Sequence, residues 1–143
     1  MIYTIKRERS GILKIILCLD DQNGMMFNHR RQSQDRALRQ YIKEMTIDDK
    51  VWMNNYSRAL YQDFSHAEVC EDFLYQAEHG DYCIVEDQKI APLKDKIEKL
   101  IIFRWQKKYP ADMKLDLNLE SWNLIEQEEI EGSSHLILKQ VYQ

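Results

Sequence analysis

Residues 12–42, ILKIILCLDDQNGMMFNHRRQSQDRALRQYI, decide the fold of this chain. The stretch opens with an apolar run, 12–19, that holds a single lysine. Apolar residues that run on instead of alternating predict a strand buried on both faces of a sheet. A turn is indicated at Asn23–Gly24, and from 33 to 45 apolar side chains recur at helical spacing. The stretch therefore predicts a central strand, a loop and an amphipathic helix.

The start of that helix holds two polar residues with separate predicted roles. Ser33 can cap the helix through its hydroxyl, and Asp35 then lies in the first turn, where the helix dipole favours an anion. The cations Arg36, Arg39 and Lys43 fall mostly outside the apolar stripe. We therefore expect Asp35 at the edge of the buried face, with Arg36 and Arg39 nearer solvent.

Strands and helices alternate along the rest of the chain, which ends in two strands. The patterns predict a strand at 50–54, a short helix near 57–63, a helix over about 69–78 with Gly80 as its C-cap, a strand at 81–86, a brief helix and strong strand over 95–105, and strands at 121–130 and 134–142 joined at Glu131–Gly132–Ser133. This order predicts an α/β domain with a mixed, mostly parallel sheet, helices on both faces and a C-terminal antiparallel hairpin. Residues 12–143 form that single domain, and 1–11 are interpreted as an N-terminal extension or edge strand.

Composition excludes some classes of protein. Charged residues make up 31% of the chain, hydrophobic residues 44%, and the net charge is −4, which is typical of an ordered globular domain without a global basic field. The longest apolar run is too short for a membrane span. The three cysteines lack CxxC spacing, which favours the reducing cytoplasm, and Cys18 is interpreted as a core residue.

The histidines and serines do not form a known catalytic pattern. The chain has no HxHxDH or HExxH motif, so we expect no metal site. Ser133, Ser134 and His135 could suggest a nucleophile and its base. Neighbours at the start of a strand point to opposite faces, however, so this segment is interpreted as a turn.

The order of elements and several short motifs resemble dihydrofolate reductase. After the motifs LCLDDQNGMMFN and SQDRAL, the resemblance places Phe27–Asn28 at the family's Trp–Asn pair and Asp35 at the acid that pairs with the pterin ring. VWMNNYS keeps a hydroxyl at Ser57, in the family's Gly-Arg-x-Thr motif. KLIIFRWQKKYPADMKLDLNLESWNLIEQEEI places Asp112 and Trp122 at the family's aspartate and tryptophan. The resemblance covers about 12–143 and implies a dihydrofolate reductase-like fold.

The cofactor motif of that family is missing. Dihydrofolate reductases hold the NADPH pyrophosphate on consecutive glycines, because glycine lets backbone amides approach phosphate closely. Here the strand continues as YCIVEDQKIAP, with Glu86 and Asp87 at that turn, and Asn54 and Asn55 replace the glycine and arginine of the preceding motif. We therefore expect NADPH not to bind and predict no cofactor.

The first functional hypothesis is a ligand-binding cleft between the 20–32 loop and helix 33–45. A small planar or nucleotide-like ligand would meet five predicted binding residues: Phe27, Asn28, Arg31, Asp35 and Ser57. Asp35 is also the candidate catalytic residue, because a carboxylate suits the bidentate edge of an amidine-like group. The sequence leaves open whether the cleft catalyses a reaction.

Two alternatives belong to other functional classes. Between residues 28 and 45 there are five Arg or Lys side chains and two acidic ones, and the Arg30–Lys43 cluster could contact phosphate in an RNA-associated or RNA-processing, ribonuclease-like protein. The second alternative is a non-catalytic interaction module that forms a homodimer through an exposed sheet edge. No membrane association is expected from either.

Overall fold

The computed structural model describes residues 11–32 and 34–143, which contain ten strands and three α-helices. The strands are β1 Leu13–Leu19, β2 Gly24–Phe27, β3 Arg30–Arg31, β4 Val51–Met53, β5 Ala67–Val69, β6 Tyr82–Ile84, β7 Ile97–Trp105, β8 Met113–Lys114, β9 Leu124–Glu131 and β10 Leu136–Tyr142. The helices are α1 Arg36–Met45, α2 Asn55–Arg58 and α3 Phe73–Gln76, with 3-10 turns at Ala91–Lys96 and Leu119–Ser121. Except for Gly11, the predicted N-terminal extension or edge strand lies outside the described residues, as does the predicted cap Ser33.

Seven strands form the main sheet, in the order β5-β4-β6-β1-β7-β10-β9. β1 is the middle strand and pairs in parallel with both β6 and β7. β10 runs antiparallel to β7 and to β9. The predicted mixed, mostly parallel α/β sheet is confirmed, together with its C-terminal antiparallel hairpin and the central position of the first strand.

Each face of the main sheet has its own apolar core. Leu38 and Ile42 of α1 are buried on one face with Ile16 of β1, while Phe73 of α3 is buried on the other face with Ile15. Because β1 is covered on both sides, its side chains can be apolar without alternation. Full burial of each such side chain stabilises the fold by roughly 1.5–3 kcal/mol relative to exposure. The two cores hold the carboxyl ends of the parallel strands in fixed positions.

The start of α1 differs from the prediction. Asp35 is the N-cap, with an extended backbone at φ −67° and ψ 124°, and its side chain accepts a hydrogen bond from the Leu38 backbone N–H. The first turn of the helix contains no acidic residue. The prediction that Asp35 lies in the first turn was therefore wrong, because this short carboxylate satisfies a backbone N–H that would otherwise lack a partner.

The helix predicted over 69–78 has the wrong bounds, because only Phe73–Gln76 is helical. Ala67–Val69 instead forms β5, which pairs in parallel with β4 at the edge of the sheet. The extended backbone of Ala77, with ψ 143°, ends the helix. Gly80 does not cap it, but lies with φ 91° in the turn that leads into β6. The spacing of apolar side chains in this segment resembles that of a helix, but Ala67–Val69 forms a strand because it pairs with β4.

Two further boundaries differ from the predictions. The helix predicted near 57–63 is α2, which begins at Asn55 because the Asn54 side chain accepts a hydrogen bond from the Ser57 backbone N–H at 3.0 Å. Trp122 does not open a strand. It follows the second 3-10 turn, with its side chain 7% exposed, and β9 begins at Leu124.

The predicted loop over 20–32 contains two strands. β2 pairs antiparallel with β3 and with β8, and the three form a small second sheet. Asn28 and His29 connect β2 to β3 with φ values of 51° and 62°. Two consecutive residues with positive φ are typical of a tight hairpin turn, in which asparagine is favoured. This hairpin projects beside the carboxyl ends of the parallel strands.

The helices of the described part of the chain are short. None of them is long and apolar enough to cross a membrane.

Candidate functional site

The carboxyl ends of β4, β6, β1 and β7 lie at one edge of the main sheet, because these strands are parallel. Open α/β sheets bind ligands at this edge, since the connections to the following helices diverge there. In this chain the β4–β6 half and the β7–β10 half of the edge have different structures.

The β7–β10 half carries a surface groove made of two adjoining depressions that share Gln32 and Tyr109. The depressions have volumes of about 230 and about 190 Å³. The first is also lined by Gln34, Asp35, Trp105, Ser134 and His135. The second is also lined by Phe27, Arg30, Arg31 and Pro110. We refer to the two together as the groove.

Asp35 joins the start of α1 to the β9–β10 hairpin. Its Oδ1 accepts a hydrogen bond from the Leu38 backbone N–H at 2.8 Å, and its Oδ2 accepts one from the Ser133 backbone N–H at 2.7 Å. The Ser133 hydroxyl donates to Oδ1 at 3.2 Å and accepts from the Ala37 backbone N–H at 3.1 Å. The carboxylate therefore has a structural role, in addition to lining the groove.

Asp35 and Phe27 lie in different depressions of the groove. The two depressions meet at their shared walls, Gln32 and Tyr109. Phe27 is 48% exposed, in keeping with a position at the rim. Arg36 is exposed, and Arg39 is partly exposed with its Nη1 donating to the Gln34 carbonyl at 3.0 Å.

Aromatic and imidazole rings line the first depression. The Trp105 and His135 rings are 4.1 Å apart, with an angle of 61° between their planes. Trp105 is 5% exposed, and its buried indole Nε1 makes no hydrogen bond within the part of the chain that the structure describes. Ser134 Oγ and His135 Nδ1 are 2.8 Å apart. Ser134 and His135 therefore do not point to opposite faces as predicted, and they lie in a bend, where a turn was predicted.

A buried aspartate fixes one wall of the groove. Asp20 follows β1, is 1% exposed, and accepts backbone hydrogen bonds from Gln22, Gly24 and Tyr109 at 2.9, 2.7 and 3.0 Å. Burial alone would raise the pKa of Asp20, but the three N–H groups outweigh it and hold the pKa below its ordinary value. Asp20 thus attaches the segment of Tyr109 to the end of the central strand.

In the β4–β6 half, polar side chains pair with one another. Arg31 forms an ion pair with Glu86, with its Nε 2.8 Å from Oε2. Ser57 Oγ donates to Glu86 Oε1 at 2.8 Å, and Asn54 Nδ2 donates to Asp87 Oδ1 at 2.9 Å. These contacts occupy the residues that the sequence assigned to ligand or cofactor recognition.

Two more carboxylates accept backbone hydrogen bonds, one at the start of α2 and one in the β2–β3 turn. The Asn55 backbone N–H donates to Glu71 Oε2 at 2.9 Å, so an acid lies at the start of α2. The Asn28 backbone N–H donates to Asp112 Oδ2 at 2.9 Å. Asn28 is exposed in the β2–β3 turn and lines neither depression of the groove, and Ser57 is buried beside Glu86.

The structure brings some predicted site residues together and separates others. Phe27 and Arg31 share one depression with each other, and Asp35 lies in the next. Sequence reasoning missed Trp105, Tyr109 and His135 as groove residues. Trp105 could have been found, because it is the last residue of a strong strand, whose carboxyl end faces the ligand-binding edge.

Cys18 lies near the carboxyl end of β1. It is partly buried against the core on the α1 face. Burial of the thiol, followed by the nearby charge of Glu86, raises the pKa of Cys18 to about 12, which keeps it protonated at neutral pH. No cluster of three or more His, Cys, Asp or Glu side chains in residues 11–32 and 34–143 could hold a metal ion.

Comparison with known proteins identifies the fold. No protein-family model matches the chain, and no curated protein matches its sequence. Among solved structures the chain is similar to dihydrofolate reductase from Enterococcus faecalis complexed with NADP(H) and RAB-propyl, with a TM-score of 0.66 and 11% identity over 93% of this chain and 96% of that chain. At that identity the likeness concerns the fold alone. The chain has a dihydrofolate reductase-like fold, as the motifs predicted.

Proposed function

We propose that this domain binds a small planar or nucleotide-like ligand in the groove beside the start of α1. The observation that carries the proposal is the pair of adjoining depressions at the β7–β10 half of the sheet edge, with Trp105, Tyr109 and Phe27 among their walls. Ligand sites combine apolar and aromatic walls with a few polar groups. The groove offers both kinds of group at the edge where open α/β sheets bind ligands.

The polar groups of the groove favour a ligand with a hydrogen-bonding edge. The side chains of Gln32 and Gln34 can donate and accept, and Asp35 supplies a carboxylate. The Trp105 indole N–H is a buried donor without a partner among the described residues, and such a group costs roughly 1–3 kcal/mol. Because this nitrogen is shielded from solvent, a ligand in the groove meets the side chains of Gln32, Gln34 and Asp35 instead.

We also propose that NADPH does not bind in the manner of dihydrofolate reductase. Three carboxylates, those of Glu71, Glu86 and Asp87, lie around the start of α2 and the end of β6. The charge of Glu86 is compensated by Arg31, so the repulsion of a pyrophosphate comes from Glu71 and Asp87. Titration with NADPH should therefore give no saturable signal, and a dissociation constant near micromolar, roughly −8 kcal/mol of binding free energy, would contradict this.

The two alternatives have less support in the contacts. Of the basic cluster, Arg31 is paired with Glu86 and Lys43 with Asp63, which leaves fewer cations to contact RNA phosphates. The edge strand β9 is exposed along most of its length, as a homodimer through a sheet edge would require. Its four glutamates disfavour pairing with a second copy. A cytoplasmic location fits all three functions and remains part of the proposal.

A thermal-shift screen tests the proposed function. Planar heterocycles, folates, nucleotides and a short RNA should be compared for their effect on the melting temperature. A groove ligand should stabilise the wild-type protein and lose at least tenfold in affinity in Tyr109→Ala. Tyr75→Ala is the matched control, because Tyr75 is 70% exposed and lies on α3. Equal loss in both variants, or stabilisation by RNA alone, would count against a small-molecule groove.

A further inference from the structure

Arg31, Glu86 and Ser57 form a buried cluster at the carboxyl ends of β4 and β6. The Arg31 side chain is 12% exposed and the Glu86 side chain 6%. Three hydrogen bonds converge on the carboxylate: Arg31 Nε donates to Oε2 at 2.8 Å, Arg31 Nη2 donates to Oε1 at 3.2 Å, and Ser57 Oγ donates to Oε1 at 2.8 Å. A guanidinium fork with a hydroxyl is the donor set with which proteins bind free carboxylates and phosphates.

The donors of this cluster are held by contacts other than Glu86. The Arg31 guanidinium lies 4.3 Å from the centre of the Tyr56 ring, and its Nη2 also donates to the Tyr56 carbonyl at 3.1 Å. Ser57 belongs to α2, where its backbone N–H donates to Asn54 Oδ1 at 3.0 Å. Arg31 and Ser57 therefore keep most of their surroundings if the carboxylate is removed.

Arg31 also belongs to the wall of the groove. It lines the depression that contains Phe27 and Arg30, while its charge is compensated from the other side by Glu86. Because Glu86 is buried with it, that compensation acts in a medium where charges interact more strongly than in water. Arg31 therefore contributes little net positive charge to the groove.

We propose that this cluster is an anion-binding site that the chain fills with its own Glu86 carboxylate. The site would take a small carboxylate such as formate if Glu86 were shortened. In the wild-type protein, Glu86 excludes anions from Arg31 and leaves Arg30 as the cation of that depression. The internal carboxylate thus selects against ligands that carry an anionic group toward Arg31.

Chemical rescue of Glu86→Ala tests the proposal without any knowledge of the groove's ligand. The variant should lose stability, and sodium formate should restore part of it relative to sodium chloride at equal ionic strength. At saturation the melting temperature should rise by about 3 °C or more, the shift that the return of one such interaction gives in a domain of this size. If the variant does not fold in chloride, the refolded yield with and without formate is the measurement.

Two further variants separate a specific site from a general salt effect. Asp87→Ala is the matched control, because it removes the neighbouring carboxylate, which pairs with Asn54 and not with Arg31. Formate and chloride should act alike on this control and on the wild-type protein. Arg31→Met added to Glu86→Ala should abolish the formate effect. The proposal is overturned if formate and chloride act alike on Glu86→Ala, or if Asp87→Ala gains the same formate response.

Discussion

The two halves of the sheet edge at the carboxyl ends of the parallel strands differ in how their polar side chains are paired. In the β4–β6 half, the polar side chains of Arg31, Ser57 and Asn54 are engaged by the chain's own Glu86 and Asp87. In the β7–β10 half, aromatic and amide side chains line an open groove. A dihydrofolate reductase-like fold therefore supplies the edge, while the side chains decide which part of it is available to a ligand.

The largest expected loss of stability comes from breaking the Arg31–Glu86 ion pair in the β4–β6 half. Arg31→Met leaves the Glu86 carboxylate buried without its cation, and loss of one partner of a buried ion pair costs about 3–5 kcal/mol. The free energy of unfolding in urea measures this loss. The double variant Arg31→Met/Glu86→Met should recover most of it, because two apolar side chains need no partner. If Arg31→Met lowers the free energy of unfolding by less than about 1 kcal/mol, the Arg31–Glu86 pair contributes no more than an exposed ion pair does.

A smaller loss of stability is expected from substitution of Asp20, which attaches the segment of Tyr109 in the β7–β10 half to the end of β1. The pKa of Asp20 lies below its ordinary value, so this carboxylate stabilises the fold above the unfolded pKa of about 3.9, and that contribution is lost as the pH falls through the folded pKa. Asp20→Asn should cost about 1–3 kcal/mol at pH 7 and flatten the acid limb of the stability curve. Urea unfolding between pH 7 and pH 2 measures both. If the free energy of unfolding of Asp20→Asn falls between pH 7 and pH 2 as it does in the wild type, protonation of Asp20 is not the cause of that fall.

The smallest effect concerns the residue that joins α1 to the hairpin. Asp35→Ala removes a helix cap and should cost about 0.5–2 kcal/mol, with Asp35→Asn less damaging because asparagine also caps helices. Thermal melts measure the difference. If Asp35 also anchors a cationic ligand, Asp35→Asn should abolish binding while it preserves most of the stability. Equal binding by Asp35→Asn and the wild type would leave Asp35 with a structural role only.

The sequence predicted the elements that have strong local signals. The apolar run of β1, interrupted by Lys14 alone, and the strands on either side of the glycine turn at Gly132 were predicted from their local sequence. The segment 67–77 has no such signal. Its first residues become a strand because β4 lies beside them, and that contact cannot be inferred from local spacing.

The candidate site was predicted less well, because its contacts join distant parts of the chain. Arg31 was counted with the exposed cations near it, yet its partner Glu86 is 55 residues away. Asp35 was assigned a place in the helix dipole, while one of its partners, Ser133, is 98 residues away. A count of charges among sequence neighbours includes only residues that are close along the chain. In the folded protein the sheet edge brings together residues that are far apart in sequence.

The pairing of the central strand also has a consequence during protein synthesis. β1 is paired with β7 from Leu13 opposite Ile97 to Leu19 opposite Arg104. A ribosome that adds 5–20 residues per second needs roughly 4–17 s to pass from the end of β1 to the end of β7. Throughout that interval β1 lacks β7, and until Tyr82–Ile84 has been made it also lacks β6, its other neighbour. Chaperones that hold exposed apolar segments therefore have several seconds in which to act on this chain before its sheet can close.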